Sequence, residues 1–308
     1  MSDRVAFPVP DVYVMEASGA GQTRLTSEGY NLSPVWSPSG DRIAWIRDRQ
    51  SDIGLHVMNP DGTGQRNLTP GLGAWGPTWS PDGSALAFSA HAETNGSWSD
   101  QIFSVGLTGT APVRLTTTSS GGYGASWSPD GTRIAFLGSP TIGSNRDVYV
   151  MNADGSNPVN LTNTAPAQGN DDPSWSPDGG RIAFTSWRDG NSEIYSVDAD
   201  GSNLVNLTRT LDRAESGAVW SPRGDRIAYQ CVYQEIWLML PDGTGQRMLT
   251  RGITFAWSPD GRRIVFCSDR SDRADVGTDI YSIAEDGSEP MRLTRHPASD
   301  CYPQWTDP

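Results

Sequence analysis

Lysine is absent from this 308-residue chain: all 23 basic residues are arginine, against 36 Asp and Glu, for a formal net charge of −13. The imbalance argues against a partner bound through its phosphate backbone, which requires clustered basic side chains. It suits a cationic partner or a metal ion, or serves solubility alone. Cysteine is scarce. Cys231, Cys267 and Cys301 are an odd number and make no disulfide framework, although one bridge fits the count. No apolar run approaches the roughly 20 residues needed to cross a bilayer. The opening "MSDRVAFPVP" has no basic stretch followed by an apolar core, so no secretory signal is expected in it. Sustained apolar periodicity at 3.6 residues is also missing, so helices are expected to be nearly absent.

What the chain has in abundance is one motif. "VWSPRGDRIAYQ" (219–230) has close copies in "VWSPSGDRIAW", "TWSPDGSALAF", "SWSPDGTRIAF", "SWSPDGGRIAF" and "AWSPDGRRIVF", and a truncated one in the terminal "QWTDP". The motif tryptophans, Trp36, Trp79, Trp127, Trp175, Trp220, Trp257 and Trp305, are 43, 48, 48, 45, 37 and 48 residues apart. Each unit runs from the Trp-Ser-Pro stretch through a turn, an "R-I-A-F" run, a variable loop, an "I-Y-x-M" run and a second turn to a closing Leu-Thr. These are four short runs rich in β-branched and aromatic residues, bounded by Gly, Pro and Asp, as strands are.

Four strands repeating every 40 to 50 residues predict a β-propeller. Residues 1–26 hold the last three strands of a unit ("DRVAF", "DVYVM", "QTRLT"), and "YPQWTDP" holds a first strand. Joined, they make one composite blade, which removes the open sheet edges. The expected fold is all-β: a seven-bladed propeller of four-stranded antiparallel blades, closed by the C-terminal strand joining the N-terminal ones. It is a single domain over 1–308, with blades near 28–70, 71–117, 118–163, 164–209, 210–251, 252–295, and 296–308 plus 1–27.

At "SWSPDGGRIAFTSWRDGNSEIYSVDADGSNLVNLT" (174–208) the chain resembles the TolB-like (WD40-like) β-propeller repeat family, and the resemblance extends over essentially the whole chain. The chain is expected to depart from TolB itself, with the propeller alone and no extra amino-terminal domain, and with seven blades by its repeat count rather than six. Relatives of this kind serve as protein-docking modules, as gates of prolyl-oligopeptidase-like enzymes and as lyases. The resemblance also implies a periplasmic or extracellular setting where a signal has been removed; the compartment is otherwise open.

The repeated motif itself reads as structure. A nucleophilic Ser221 needs a base held by a third group, yet six intact motifs share only His56, His91 and His296. Trp supplies buried area, Pro ends ladder pairing and Asp-Gly tolerates a tight turn. The second turns, such as "NADGSN" (152–157), resemble calcium-loop fragments but join strands, so hairpin turns are expected. A Gly-x-Ser-x-Gly hydrolase motif is missing. His56 is expected to pack within its strand. A site made of His296, Cys267 and Cys301 is a weaker metal candidate.

Function is therefore sought in the variable loops of one face. The resemblance places the first strand of each blade innermost, so residues just before each Trp should ring a funnel. Five positions before stand Asn31, Ala74, Gly122, Asn170, Glu215, Gly252 and Asp300; their neighbours include Trp75, Tyr123, Asp171, Asp172, Thr254, Phe255 and Tyr302. Trp98 and Trp187 belong to loops of the same face. The candidate ligand-binding set is Trp75, Tyr123, Asp171, Asp172, Trp187, Glu215, Phe255, Asp300 and Tyr302. Aromatics with carboxylates suit a ligand part apolar and part cationic.

The leading expectation is a non-catalytic, soluble, monomeric binding module for a peptide, protein segment or small molecule, without a required cofactor, nucleic acid or membrane insertion. The alternative is a lyase, cyclase or hydrolase using Asp171, Asp172 and Glu215 as catalytic carboxylates, with Ca²⁺ or another divalent ion at Asp171 and Asp172. A low wall is expected at the short loop "CVYQEIW", opening the funnel beside Glu215.

Overall fold

The computed structural model describes residues 11–49, 52–94, 96–108, 110–117, 121–139, 145–163, 168–232, 234–269, 277–295 and 299–306. Among them there is no helix, and all regular structure is antiparallel sheet. Six four-stranded sheets, here blades 1 to 6, span residues 30–67, 74–114, 122–160, 170–206, 215–251 and 253–292, each with its strands in chain order. Blade 1 is typical: Tyr30–Trp36, Ile43–Asp48, Gly54–Met58 and the two-residue Arg66–Asn67. A seventh sheet has two strands, Tyr13–Val14 and Thr23–Arg24. The chain is thus a propeller of four-stranded antiparallel blades. Of the expected composite blade, "DRVAF" lies outside the described residues, and 302–306 carry no strand pairing among the described residues.

The second strands explain the packing. Ile134, Ala135 and Phe136 are all buried, as are Ile182, Ala183 and Phe184. Both faces of the strand are covered because each blade is sandwiched between neighbours, so the run is apolar without alternation. The core is accordingly a series of layers between blades. One joins Leu55 and Val57 of blade 1 to Trp79, Leu86 and Phe88 of blade 2. Another joins Val12 and Leu25 of the two-stranded sheet to Ile43, Trp45 and Met58 of blade 1. From blade 1 to blade 5 the first strands of adjacent blades pack on one another, which puts them at the axis.

The Trp-Ser-Pro motif supplies this architecture rather than chemistry. The indole N–H of Trp79 donates to Val35 O of the preceding blade (3.1 Å), and Trp175 to Ser126 O (3.0 Å). Arg133 and Arg181 lie over Trp175 and Trp220 of the next blade, at 4.8 and 5.0 Å from the ring centroids, a cation–π contact across the junction. The motif serine braces its own turn: Ser128 Oγ donates to Asp130 (2.6 Å) and accepts from Arg133 N–H (2.9 Å). Where Ser39 or Arg223 replaces that Asp, the aspartate two residues later takes over. Ser37 then donates to Asp41 and Ser221 to Asp225, both at 2.9 Å.

The second turns are hairpins. Asp154 accepts the Ser156 N–H (2.9 Å) and Asp242 the Thr244 N–H (2.9 Å), an Asx turn. His56 is buried against Trp45, ring centroids 5.1 Å apart, as its strand position implied.

Candidate ligand-binding funnel

The first strand of every blade is bulged. Its ladder with the second strand shifts register just before the motif Trp: between Leu32 and Val35, Trp75 and Thr78, Tyr123 and Ser126, Asp171 and Ser174, Ser216 and Val219, and Ile253 and Phe255. The cause is a residue in the left-handed region three positions before each Trp. Gly76, Gly124 and Gly217 fill it in three blades; Ser33, Asp172 and Thr254 do so in the others, at φ 50°, 52° and 29°. Tyr302, three before Trp305, has φ 58°. A left-handed side-chain-bearing residue costs about 1–2 kcal/mol, and such strain concentrates at functional positions.

The bulge sorts the expected site residues. Those five positions before the Trp are mostly internal. Asn31, Asn170 and Glu215 are buried, Glu215 with only 1% of its surface exposed. Asn31 Nδ2 donates to Asp11 (3.1 Å), while both Glu215 carboxylate oxygens accept from Thr210 Oγ1 (2.8 and 2.9 Å). Glu215 therefore does not line an open mouth: it points into the junction beside the buried Cys231 thiol, 3.9 Å away. Burial is the main cause that raises its pKa; the Thr210 hydrogen bonds oppose it and Glu193 adds to it. Phe255 also leaves the expected set. The extra residue at Thr254 places it opposite Phe266, and it packs on the core between blades 5 and 6. Asp300 is half-buried at the blade 6 junction, its N–H donating to Thr278 O (2.8 Å).

The positions four and three before the Trp are the open ones. Leu32, Trp75, Asp172 and Tyr302 are exposed, Trp75 at 39% and Tyr302 at 64%; Tyr123, Asp171, Ser216 and Thr254 are half-buried. Trp75 and Tyr123, on adjacent blades, have ring centroids 5.4 Å apart. Arg146 lies over Tyr123 at 5.4 Å and pairs with Asp171 at 3.7 Å. A continuous line of aromatic, aromatic, cation and carboxylate thus crosses three blades. Trp187, 37% exposed, joins it at blade 4, its N–H donating to Gly169 O (3.1 Å) just ahead of the first strand. Trp98 is exposed on the long hairpin Ala85–Thr94 and Ser97–Gly106, stacked on His91 at 6.3 Å.

Asp172 has the most distinctive electrostatics. It is an exposed residue, yet the protein around it solvates the carboxylate less well than bulk water does. That desolvation raises its pKa, the Asp171 charge raises it further, and the Gly217 N–H, Thr185 hydroxyl and Arg146 act the other way. Asp171 and Asp172 place two carboxylates side by side, the first of them 3.7 Å from Arg146. Among the described residues no three His, Cys, Asp or Glu side chains could hold a metal ion. The Cys267–Cys301 candidate is replaced: the two sulfurs form a disulfide, Cα–Cα 5.2 Å, and so offer no thiolate ligands. His296 lies outside the described residues. The short loop keeps five-residue strands, Ile227–Cys231 and Glu235–Met239; Tyr233 between them is outside the described residues.

Arg146 and Leu32 were missed. Arg146 belongs to the loop before the third strand, where the repeat gives no register. The left-handed position was legible in hindsight, since three units spell it Gly.

Fold and site together define a β-propeller built from Trp-Ser-Pro repeats, with a mixed aromatic and acidic surface at its axis. The chain belongs to the TolB beta propeller domain family, whose model matches residues 1–121 and 123–256. Over 99 residues, 29% of this chain and 21% of the relative, it is 35% identical to the Tol-Pal system protein TolB of Gluconobacter oxydans (strain 621H). TolB from Acinetobacter baumannii superposes with a TM-score of 0.60 at 20% identity, covering 83% of this chain and 64% of that one. An oligogalacturonate lyase in complex with manganese gives 0.70 at 16% identity, covering 87% and 81%. The chain therefore spans less than two thirds of the Gluconobacter and Acinetobacter TolB proteins. Among the described residues no helix is long and apolar enough to cross a membrane.

Proposed function

We propose that the protein is a binding module that docks a peptide, protein segment or small molecule at the loop-face funnel, without a required cofactor. One observation carries this reading: exposed Trp75 packs on half-buried Tyr123, and the line continues through Arg146 to Asp171, next to the exposed Asp172. An aromatic platform beside a carboxylate selects a ligand with an apolar part and a cationic group a few ångströms away. The partner class follows the net charge: a basic or neutral segment rather than nucleic acid. The Tol-Pal relative makes a protein partner the natural first choice, and the propeller is taken to act as a monomer.

The same proposal includes a ring of seven blades, the last formed by 296–308 with 1–27. Two contacts support it. A Cβ on Gly19 would touch Leu293 of blade 6, as one on Gly62 would touch Leu25, so the two-stranded sheet is seated like a blade on both sides. The left-handed Tyr302 also repeats the conformation of the first strands.

Selection of a phage-displayed peptide library on the wild type, repeated on Trp75→Ala and Asp172→Asn, tests the binding reading. The expected outcome is enriched peptides pairing an aromatic or aliphatic residue with Arg or Lys, bound at least tenfold more weakly by each variant. Equal binding by all three proteins sinks it. A second reading, catalysis by funnel carboxylates, is favoured by the raised pKa of Asp172 beside Asp171 and by the lyase fold relative. Incubation with oligogalacturonate separates the two: cleavage by wild type but not by Asp172→Asn supports catalysis, and no cleavage leaves the binding module.

A further inference from the structure

At three blade junctions, the side chain of the residue after the second-strand aromatic hydrogen-bonds the stretch leading into the motif Trp of the next blade. Ser89, after Phe88, accepts the Gly124 N–H (3.3 Å), and Thr185, after Phe184, accepts the Gly217 N–H (3.1 Å). Gln230, after Tyr229, donates to Gly252 O (3.4 Å). Cys267 follows Phe266 and holds the same position at the blade 6 junction. Its partner Cys301 immediately precedes the left-handed Tyr302. Thr254 Oγ1 lies 3.0 Å from Cys267 Sγ and 3.3 Å from Cys301 Sγ, so both sulfurs sit at the bulge of the inner strand. At this junction a covalent bond stands where Ser89, Thr185 and Gln230 make side-chain hydrogen bonds at three others.

The junction differs from the rest in what it must hold. The first strands of blades 1 to 6 pair with the second strands that follow them in sequence. Residues 302–306 are the counterpart of those first strands, with the left-handed Tyr302 three positions before Trp305. Gln304 and Trp305 line a cavity of about 390 Å³ with Val35, Trp36, Pro77 and Pro259. The segment therefore sits between blade 6 and blade 1, where the proposed seven-bladed ring meets itself.

We propose that the Cys267–Cys301 disulfide is the clasp that fixes this closing segment to blade 6, making ring closure redox-sensitive. Opening the clasp is a two-electron exchange. A dithiol supplies two electrons and two protons, the Sγ–Sγ bond breaks, Cys267 and Cys301 each gain S–H, and the dithiol closes to its own disulfide. The released segment keeps its apolar contacts but loses the only covalent tie between the bulge and the blade before it. The inference stands apart from the ligand reading.

The test uses the full chain purified without reductant. Non-reducing peptide mapping should recover a Cys267–Cys301 linked peptide, with Cys231 free. Hydrogen exchange is then compared for the oxidised protein, the dithiothreitol-treated protein and a Cys267→Ser/Cys301→Ser variant, each also carrying Cys231→Ser. Opening the clasp should speed exchange at 302–306 and at the 13–24 sheet by about tenfold or more, leaving blades 2 to 4 unchanged, and lower the Tm by roughly 5 °C. Absence of the linked peptide overturns the proposal. So does unchanged exchange at 302–306, or a uniform acceleration in every blade. If the double serine variant does not fold, reduced protein against oxidised protein carries the same comparison.

Discussion

Replacing Gly243 by alanine measures how tightly one blade is seated on the next. Gly243 has φ 84°, and a Cβ there would stand 2.4 Å from Leu207 O and 3.0 Å from Leu207 Cα. A carbon contact is comfortable at about 3.5 Å, so one of the two backbones must move by roughly 1 Å. Leu207 is poorly placed to yield: its N–H donates to Ile194 O (2.8 Å) and its carbonyl accepts from Gln246 (3.2 Å). Gly217 supplies the control, since it has φ 63° but nothing within 4 Å of its Cβ position. Gly217→Ala should cost only the left-handed strain, about 1–2 kcal/mol. Gly243→Ala adds overpacking of about 1–3 kcal/mol, for roughly 2–5 in total. At roughly 2 °C per kcal/mol for a domain of this size, the expected Tm losses are about 2–4 °C and about 4–10 °C. Urea titration followed by tryptophan fluorescence gives the free energies directly. If Gly243→Ala costs no more than Gly217→Ala, the blades are not in the contact described.

Glu215→Gln should stabilise the protein at neutral pH. Burial raises the folded-state pKa of Glu215, so the folded protein favours the protonated form. Its contribution is fully present below the unfolded pKa and is lost as pH rises through the folded value. Denaturation of wild type and variant should coincide at acid pH and diverge towards pH 7; a Gln variant less stable than wild type at pH 7 contradicts the burial argument. Asp130 behaves in the opposite sense. Hydrogen bonds from Ser128 and then from Thr132 lower its pKa to about 2. Its contribution is present above about pH 4 and lost as pH falls towards 2. Carboxyl NMR titration should find that low value, and Ser128→Ala should move it upward.

Much of the architecture was legible because it is repeated. Trp-Ser-Pro, Arg-Ile-Ala-Phe and the closing Leu-Thr recur in the same order, and their uses repeat: serine to the turn aspartate, apolar run between two sheets, and, for Trp79, Trp175 and Trp257, indole to a carbonyl of the preceding blade. Six units state the rule, so two departures, Asp41 and Asp225 standing in for the usual aspartate, do not hide it. The axis was less legible for a geometric reason. Counting back from each Trp assumes an unbroken strand, whereas a left-handed residue three positions before it inserts a bulge. Beyond that residue the side-chain alternation changes phase. Trp75, Tyr123 and Asp172 stay open, while Glu215 turns into the junction and Phe255 into the core. Arg146 could not be found by register, because it belongs to no repeat position. The disulfide was only one of the ways to use three cysteines, and its placement needed the closing segment to be set beside blade 6.

The account rests most heavily on the loop-face funnel as the binding surface. Hydroxyl-radical footprinting of the protein, alone and with a library-selected peptide, tests that directly. The account predicts protection at Trp75, Tyr123 and Trp187, with the Asp-Gly turns of the opposite face unchanged. Protection confined to those turns, with Trp75 and Tyr123 as reactive as in the free protein, would contradict it.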